Sequence, residues 1–295
     1  MTAAPPKGQP DLARDTEAPP LPLDQAPYDG RRLSYANTFP NPVQRTAIQA
    51  IELLTAKPYL LRRVRAFEAL GVPFGQPFFG QALKVMEVDV ETPQAEIDRI
   101  PKTGPLVVTA NHPHGLVDGM VMAEVIGRVR QDYKILTRSL LTGVAEVDHF
   151  MLPVPFDHEP DALEKNLAMR RNAMAHLAQG GVIAVFPAGV VASADTMFGT
   201  PVERDWHAFT AKMILRSGAT VLPMRFPGQN SRGYQIASRL SATLRQGLLL
   251  YEVRRAFNRP QRPHIGAPIP PEDIDHWRGD QRGFMAWLRE HTLAL

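Results

Sequence analysis

The uncharged run Pro105-Leu106-Val107-Val108-Thr109-Ala110 leads straight into Asn111-His112-Pro113-His114-Gly115-Leu116-Val117-Asp118-Gly119, and this stretch narrows the fold most. An apolar, β-branched run bounded by Gly104 and a polar turn reads as a short buried strand, and residues 116–129 read as a helix. Two further runs, 182–186 and 220–224, repeat the strand pattern, with helical periods at 161–179 and 206–216 between them. Such alternation predicts an α/β fold with a mixed, mostly parallel sheet flanked by helices. Open α/β sheets place their chemistry where a strand ends and a helix begins, and the two histidines and Asp118 fall there.

Imidazole titrates near neutrality, and a neighbouring carboxylate fixes its tautomer and stabilises the imidazolium that forms. Either His112 or His114 with Asp118 therefore makes a general base. The chain has no Cys and no Ser in a Gly-x-Ser-x-Gly elbow, so the base has no protein nucleophile to activate. Its client is then a substrate hydroxyl or amine. A purely structural turn, with Asp118 charging the first turn of the helix, uses the same residues. A metal hydrolase site also uses them, although no second cluster with ligand spacing follows.

After the run Val182-Ile183-Ala184-Val185-Phe186 comes Pro187-Ala188-Gly189-Val190-Val191-Ala192-Ser193. A Pro-x-Gly turn at a strand end can aim backbone N–H groups at an anion, or simply end the strand. Arg138, just past the strand expected at 133–137, and Arg225, just past that at 220–224, are anion holders or surface cations.

Asn-His-Pro-x-Gly-x-x-Asp-Gly resembles the first motif of the glycerolipid and lysophospholipid (PlsC-like) acyltransferase superfamily, in the branch of ornithine-lipid and hemolysin-like acyltransferases. The usual motif is His, four residues, Asp. Here five residues separate His112 from Asp118 and three separate His114 from Asp118, and the branch's longer spacing points to His112, with His114 the alternative base. Phe186, Pro187 and Gly189 match the superfamily's Phe-Pro-Glu-Gly-Thr-Arg-Ser, while Ala188 replaces the Glu and Val190-Val191 the Thr-Arg. The segments at 220–224 and 262–269 resemble the family's Val-x-Pro-Val and closing Ile-Gly-x-Pro-Ile.

The resemblance implies an O-acyltransferase with His112 as base, Asp118 as its orienter, and Asn111, Gly115, Arg138, Phe186, Pro187, Ala188, Gly189 and Arg225 toward the substrates. It implies acyl-CoA or acyl carrier protein as co-substrate, a lyso-lipid acceptor, and no metal or redox cofactor. A lipid-binding protein without catalysis is the competing expectation.

No basic-then-apolar leader opens the sequence and no eighteen-residue apolar run occurs in it, so neither a secretory signal nor a spanning helix is expected. The expected location is cytoplasmic, peripheral on the inner face of the membrane. The chain carries a formal charge of +3, and 26 of its 33 basic residues are Arg, a side chain suited to phosphates and carboxylates. Seven arginines lie in 232–262 against one acid, Glu252. An anionic membrane surface, coenzyme A phosphates or an acidic carrier protein would suit this patch; nucleic acid is not expected, because no nucleic-acid motif accompanies it.

The expected organisation is a Pro-rich, disordered or extended tail over 1–40, a helical and possibly membrane-contacting segment over 41–85 with helices at 43–55 and 58–70, and an acyltransferase domain over 86–295. Within 58–70, Tyr59-Leu60-Leu61-Arg62-Arg63-Val64-Arg65-Ala66-Phe67 suits either an interfacial helix or one packed on the domain. Further strands are expected at 86–91, at 150–156 (a strand or a loop) and at 262–269, and a last helix at 277–293.

Overall fold

The computed structural model describes residues 28–295 apart from 138, 139, 142, 143, 157 and 160. Helices α1 (Pro42–Thr55), α2 (Lys57–Ala69), α3 (Pro77–Val85) and the single turn α4 (Gln94–Ile97) come first. Then follow β1 (Leu106–Ala110), α5 (Leu116–Gly127), β2 (Tyr133–Thr137), β3 (Met151–Pro153), α6 (Ala162–Ala178) and β4 (Val182–Val185). A small ribbon of β5 (Ser193–Ala194) and β6 (Pro201–Val202) leads to α7 (Ala208–Ser217) and β7 (Thr220–Arg225). The chain closes with α8 (Arg232–Leu240), α9 (Ala242–Gly247), α10 (Leu249–Ala256), β8 (His264–Ile265), α11 (Pro271–Ile274) and α12 (Gln281–Leu293).

The main sheet has the order β3-β2-β4-β1-β7-β8, and only the β7–β8 pairing is antiparallel. Parallel strands are covered on both faces, so their apolar residues run on without alternation. In β1, Leu106, Val108 and Ala110 join one core with α5 and the N-terminal helices, whereas Val107 joins a second core with Met169, Ile214 and Leu288. The fold is thus a mostly parallel sheet between two helical layers. At the N-terminal ends of the strands the buried Arg130 guanidinium donates to the carbonyls of Gly104 (2.7 Å), Gly180 (2.5 Å) and Pro101 (3.4 Å) and pairs with Asp132. That brace fixes the starts of β1, β2 and β4 together.

The two N-terminal helices agree with expectation. Asn41 accepts the Val43 N–H at 2.8 Å with Pro42 at the first helical position, as a helix start requires. The apolar residues Leu60 and Phe67 of α2 are buried, and Tyr59 meets Phe257 edge-on, so this helix packs on α3 and α10. Residues 28–40 lie against α1, where buried Glu52 accepts the Ser34 hydroxyl (2.6 Å) and the Tyr35 N–H (2.7 Å); residues 1–27 lie outside the described residues.

Three expectations need correction. Residues 86–91 are not a strand: Met86 and Val88 are buried with strand-like alternation, but Glu87 adopts φ +54 and only Val90 bridges, to Gln261. The expected strand at 262–269 shrinks to β8 and one bridge from Ile269 to Val221, because Pro263 and Pro268 have no N–H to donate. The last helix begins not at 277 but at Gln281, after a 3-10 turn (Asp275–Gly279), since Asp280 caps it by accepting the Gly283 N–H at 2.8 Å. The arginine-rich stretch from 232 folds into three short helices.

Candidate active site

β1 delivers its polar turn to the middle of the sheet's carboxyl edge. The turn closes on itself through Gly115, whose φ of +90 and ψ of −128 suit only glycine. Asp118, in the first turn of α5, reaches back and accepts the N–H groups of His114 (2.8 Å) and Gly115 (3.0 Å). This is the returning half of a capping box, and the helix N-terminus favours the carboxylate there.

The same carboxylate holds both histidines. His112 Nδ1 lies 3.0 Å from Oδ2 and His114 Nδ1 lies 2.9 Å from Oδ1 of Asp118, which is fully buried. Burial alone would raise the Asp118 carboxyl. The His114 charge, hydrogen bonds from both rings and the His112 charge outweigh it and hold the group well below the usual carboxylate range. An ionised carboxylate only accepts, so each ring donates from Nδ1, and a neutral ring keeps its lone pair on Nε2.

The two rings then part. His112 stacks on Phe186 with centroids 4.0 Å apart and lines a cavity of about 780 Å³. His114 does not line it; its Nε2 sits against the loop after β7, where a methyl on Gly228 would come within 2.9 Å. Burial works to lower the His114 imidazole, but the charge and hydrogen bond of Asp118 and the charge of Glu252 prevail over burial and Arg255, leaving it above an ordinary histidine.

The cavity is of the size usual for small-molecule pockets, about 300 to 1,000 Å³, and its walls are more apolar than polar. Its walls come from Leu116 and Gly119 of α5, Leu136 of β2, Val154, Leu163, Leu167 and Met169 around α6, the turn from Phe186 to Val191 after β4, and Phe209 of α7. A second cavity of about 420 Å³ shares Thr137, Val154 and Met169 with the first. Leu163, Leu167 and Val190 are exposed at the walls of the first cavity.

Of the residues expected to face substrate, Gly115, Phe186, Pro187, Ala188 and Gly189 line this cavity with His112. Asn111 does not. Its buried amide donates to the Phe226 carbonyl (2.9 Å) and accepts the Phe226 N–H (2.7 Å), so it braces the loop after β7. Arg225 ends β7 in register with His264, on the β7–β8 side of β1, whereas the cavity lies on the β4 and β2 side. Arg138 lies outside the described residues. The N–H of Gly115 is committed to Asp118 and that of Gly189 to the Phe186 carbonyl (3.0 Å), which leaves neither to receive an anion. The Ala188 N–H, on the cavity wall, has no partner among the described residues.

Three neighbours escaped the sequence reading. Tyr35 lines the cavity from the N-terminal segment, and burial, reinforced by the charge of Glu52, holds its phenol protonated far above neutral pH. His207 lines it from the start of α7. Glu203, 91 positions after His112, accepts the His112 backbone N–H at 3.1 Å. None has a local spacing that marks it. Among the described residues, no group of three or more His, Cys, Asp or Glu side chains is arranged as metal ligands, and no helix is long and apolar enough to cross a membrane.

No family model and no curated protein matches the chain. Among solved structures it is similar to the 1-acyl-sn-glycerophosphate (LPA) acyltransferase PlsC from Thermotoga maritima, at a TM-score of 0.47 and 15% identity, with 83% of each chain covered.

Proposed function

We propose that the chain is an O-acyltransferase, of the 1-acylglycerol-3-phosphate acyltransferase-like kind, that moves a fatty acyl group from acyl-CoA or acyl carrier protein to a lyso-lipid hydroxyl. The product would belong to phospholipid or ornithine-lipid-type biosynthesis. One observation carries this reading: a histidine locked to a buried, ionised aspartate opens from a wall of a mostly apolar cavity. His112, rather than His114, is the base, because it fronts the cavity while His114 is turned away toward the loop after β7.

In the reaction His112 Nε2 takes the acceptor's hydroxyl proton as that oxygen attacks the thioester carbonyl carbon. The oxyanion that forms is received by the Ala188 N–H. Collapse breaks the C–S bond, and the departing thiolate takes the proton back from His112, giving an ester and a free thiol. General-base help of this kind contributes roughly 10²- to 10⁴-fold. Asp118 keeps the Nδ1–H tautomer and balances the imidazolium.

An anionic membrane surface at the inner face is the setting we assign. α1 and α9 pack together, Val43, Leu54, Leu240 and Leu244 are exposed beside the arginines of 232–262, and the only acid in that stretch, Glu252, is buried. Apolar side chains among arginines suit lipid interfaces.

The test incubates purified protein with acyl-CoA and acyl carrier protein donors of several chain lengths and with lyso-phospholipid and lyso-ornithine-lipid acceptors. Thiol release that depends on acceptor and matches ester formed mole for mole is the expected outcome. Binding to anionic vesicles with no transfer from any donor would instead identify a lipid-binding protein.

A further inference from the structure

The main chain of His112 lies between β1 and α5, and the next residue, Pro113, has no N–H. Two outside groups hold it. The His112 carbonyl accepts the Ala192 N–H at 2.9 Å, and its N–H donates to Glu203 Oε2 at 3.1 Å. Glu203 sits between β6 and α7, only 5% exposed. Its other oxygen accepts the indole N–H of buried Trp206 at 3.0 Å. Its own carbonyl is gripped by Arg289 of α12, through Nε at 3.1 Å and through Nη2. The same loop ties to the turn after β4, where the His207 N–H donates to the Pro187 carbonyl at 3.0 Å.

Two N–H donors converge on this one side chain, and only a carboxylate presents an acceptor oxygen to each. Burial pushes the Glu203 carboxyl above its ordinary value, against the bonds from Trp206 and the His112 N–H and the His112 charge, with Asp118 adding to the rise. An ordinary packing position would be better filled by an apolar side chain, because a buried carboxylate is costly.

We infer that Glu203 is a positioning residue of the site: Asp118 orients the His112 ring, while Glu203 holds the backbone from which that ring hangs, so that Nε2 stays on the cavity wall. This rests on the reading of His112 as the base. Glutamine at this place has one acceptor oxygen and one NH₂, so one of the two N–H donors must face another donor. Removing the indole N–H lifts that conflict and leaves the amide oxygen free for His112.

The experiment compares the full-length parent, Glu203→Gln, Trp206→Phe and the double variant, with kcat and KM measured on a fatty acyl thioester and a lyso-lipid acceptor. Glu203→Gln is expected to lower kcat about 10- to 100-fold with KM for the thioester unchanged, and the double variant to regain most of the rate of Trp206→Phe. A parental kcat in Glu203→Gln, a change confined to KM, or a double variant no faster than Glu203→Gln would overturn the assignment. The ¹⁵N-correlated amide resonance of His112 provides a readout that needs no turnover. It should move upfield and exchange faster in Glu203→Gln and return in the double variant. If the parent transfers no acyl group the reaction reading fails, and an unmoved His112 amide in Glu203→Gln would separately refute the positioning role.

Discussion

Two turns stand side by side at the carboxyl edge of the sheet, one after β1 and one after β4, and they are built on opposite plans. The β1 turn gathers two imidazoles, a buried carboxylate and the start of α5 into a closed hydrogen-bonded unit. The β4 turn carries no charged side chain from Phe186 to Ser193; it contributes a ring under His112, a glycine bend and cavity wall. Since β1 and β4 are hydrogen-bonded neighbours in parallel register, their ends are held at a fixed separation by backbone alone. The difference is one of groups: the β1 turn holds the titratable side chains, and the β4 turn offers an aromatic ring, a glycine bend and the Ala188 N–H on the cavity wall. The β4 turn, without charge, takes no part in the Asp118 hydrogen bonds, whereas any disturbance of Asp118 reaches everything the β1 turn holds.

Substitution of that carboxylate should have the largest effect. Asp118→Asn puts an NH₂ among four N–H donors, so transfer should fall roughly 10³- to 10⁴-fold by loss of the reactive tautomer. The fold should lose about 1 to 3 kcal/mol from buried donors left unpaired. Steady-state kinetics and urea unfolding measure the two; a near-parental rate would erase the contrast between the turns. Next come the two glycines. Gly115→Ala forces a side chain into a region that only glycine occupies readily, at a cost of about 1 to 3 kcal/mol, and should slow transfer about 10- to 100-fold by displacing the histidines. Gly189→Ala, at φ +67, needs only the left-handed helical region, costs about 1 to 2 kcal/mol, and should slow transfer less than Gly115→Ala.

The smallest effect is on stability against pH. Asp118 titrates lower when folded, so its contribution is present above about pH 3.9 and fades as pH falls through the folded value. His114 titrates higher when folded, facing Asp118 and Glu252 against Arg255. Its contribution is complete below about pH 6.5 and is lost as pH rises through the folded value. Urea titrations across pH should show these two flanks in the parent and both flattened in Asp118→Asn; an unchanged profile in that variant would assign the flanks to other groups.

What could be read in the sequence follows how locally each feature is encoded. β1, its turn and α5 are contiguous, and strands buried on both faces advertise themselves as unbroken apolar runs, so the sheet, the His112–Asp118 pairing and the Phe186 turn were all legible. Which of His112 and His114 faces the cavity was not readable from spacing, because both spacings reach one carboxylate; only the resemblance pointed to His112. Glu203 and Tyr35 reach the site from distant segments, and nothing near them in the chain signals it. Asn111 was expected toward the substrates as part of the motif that carries the resemblance, yet its amide is taken up by Phe226. The prolines that cut β8 short were visible, but their effect depends on which strand needs their missing N–H.

The most direct test of the account places His112→Gln beside His114→Gln in the same thioester-to-lyso-lipid assay, with thermal unfolding confirming that both are folded. Transfer should fall by roughly 10²-fold or more in His112→Gln and by a much smaller factor in His114→Gln. A folded His112→Gln protein that still transfers at the parental rate, or a reversed ranking of the two, would contradict the claim that the imidazole on the cavity wall is the base.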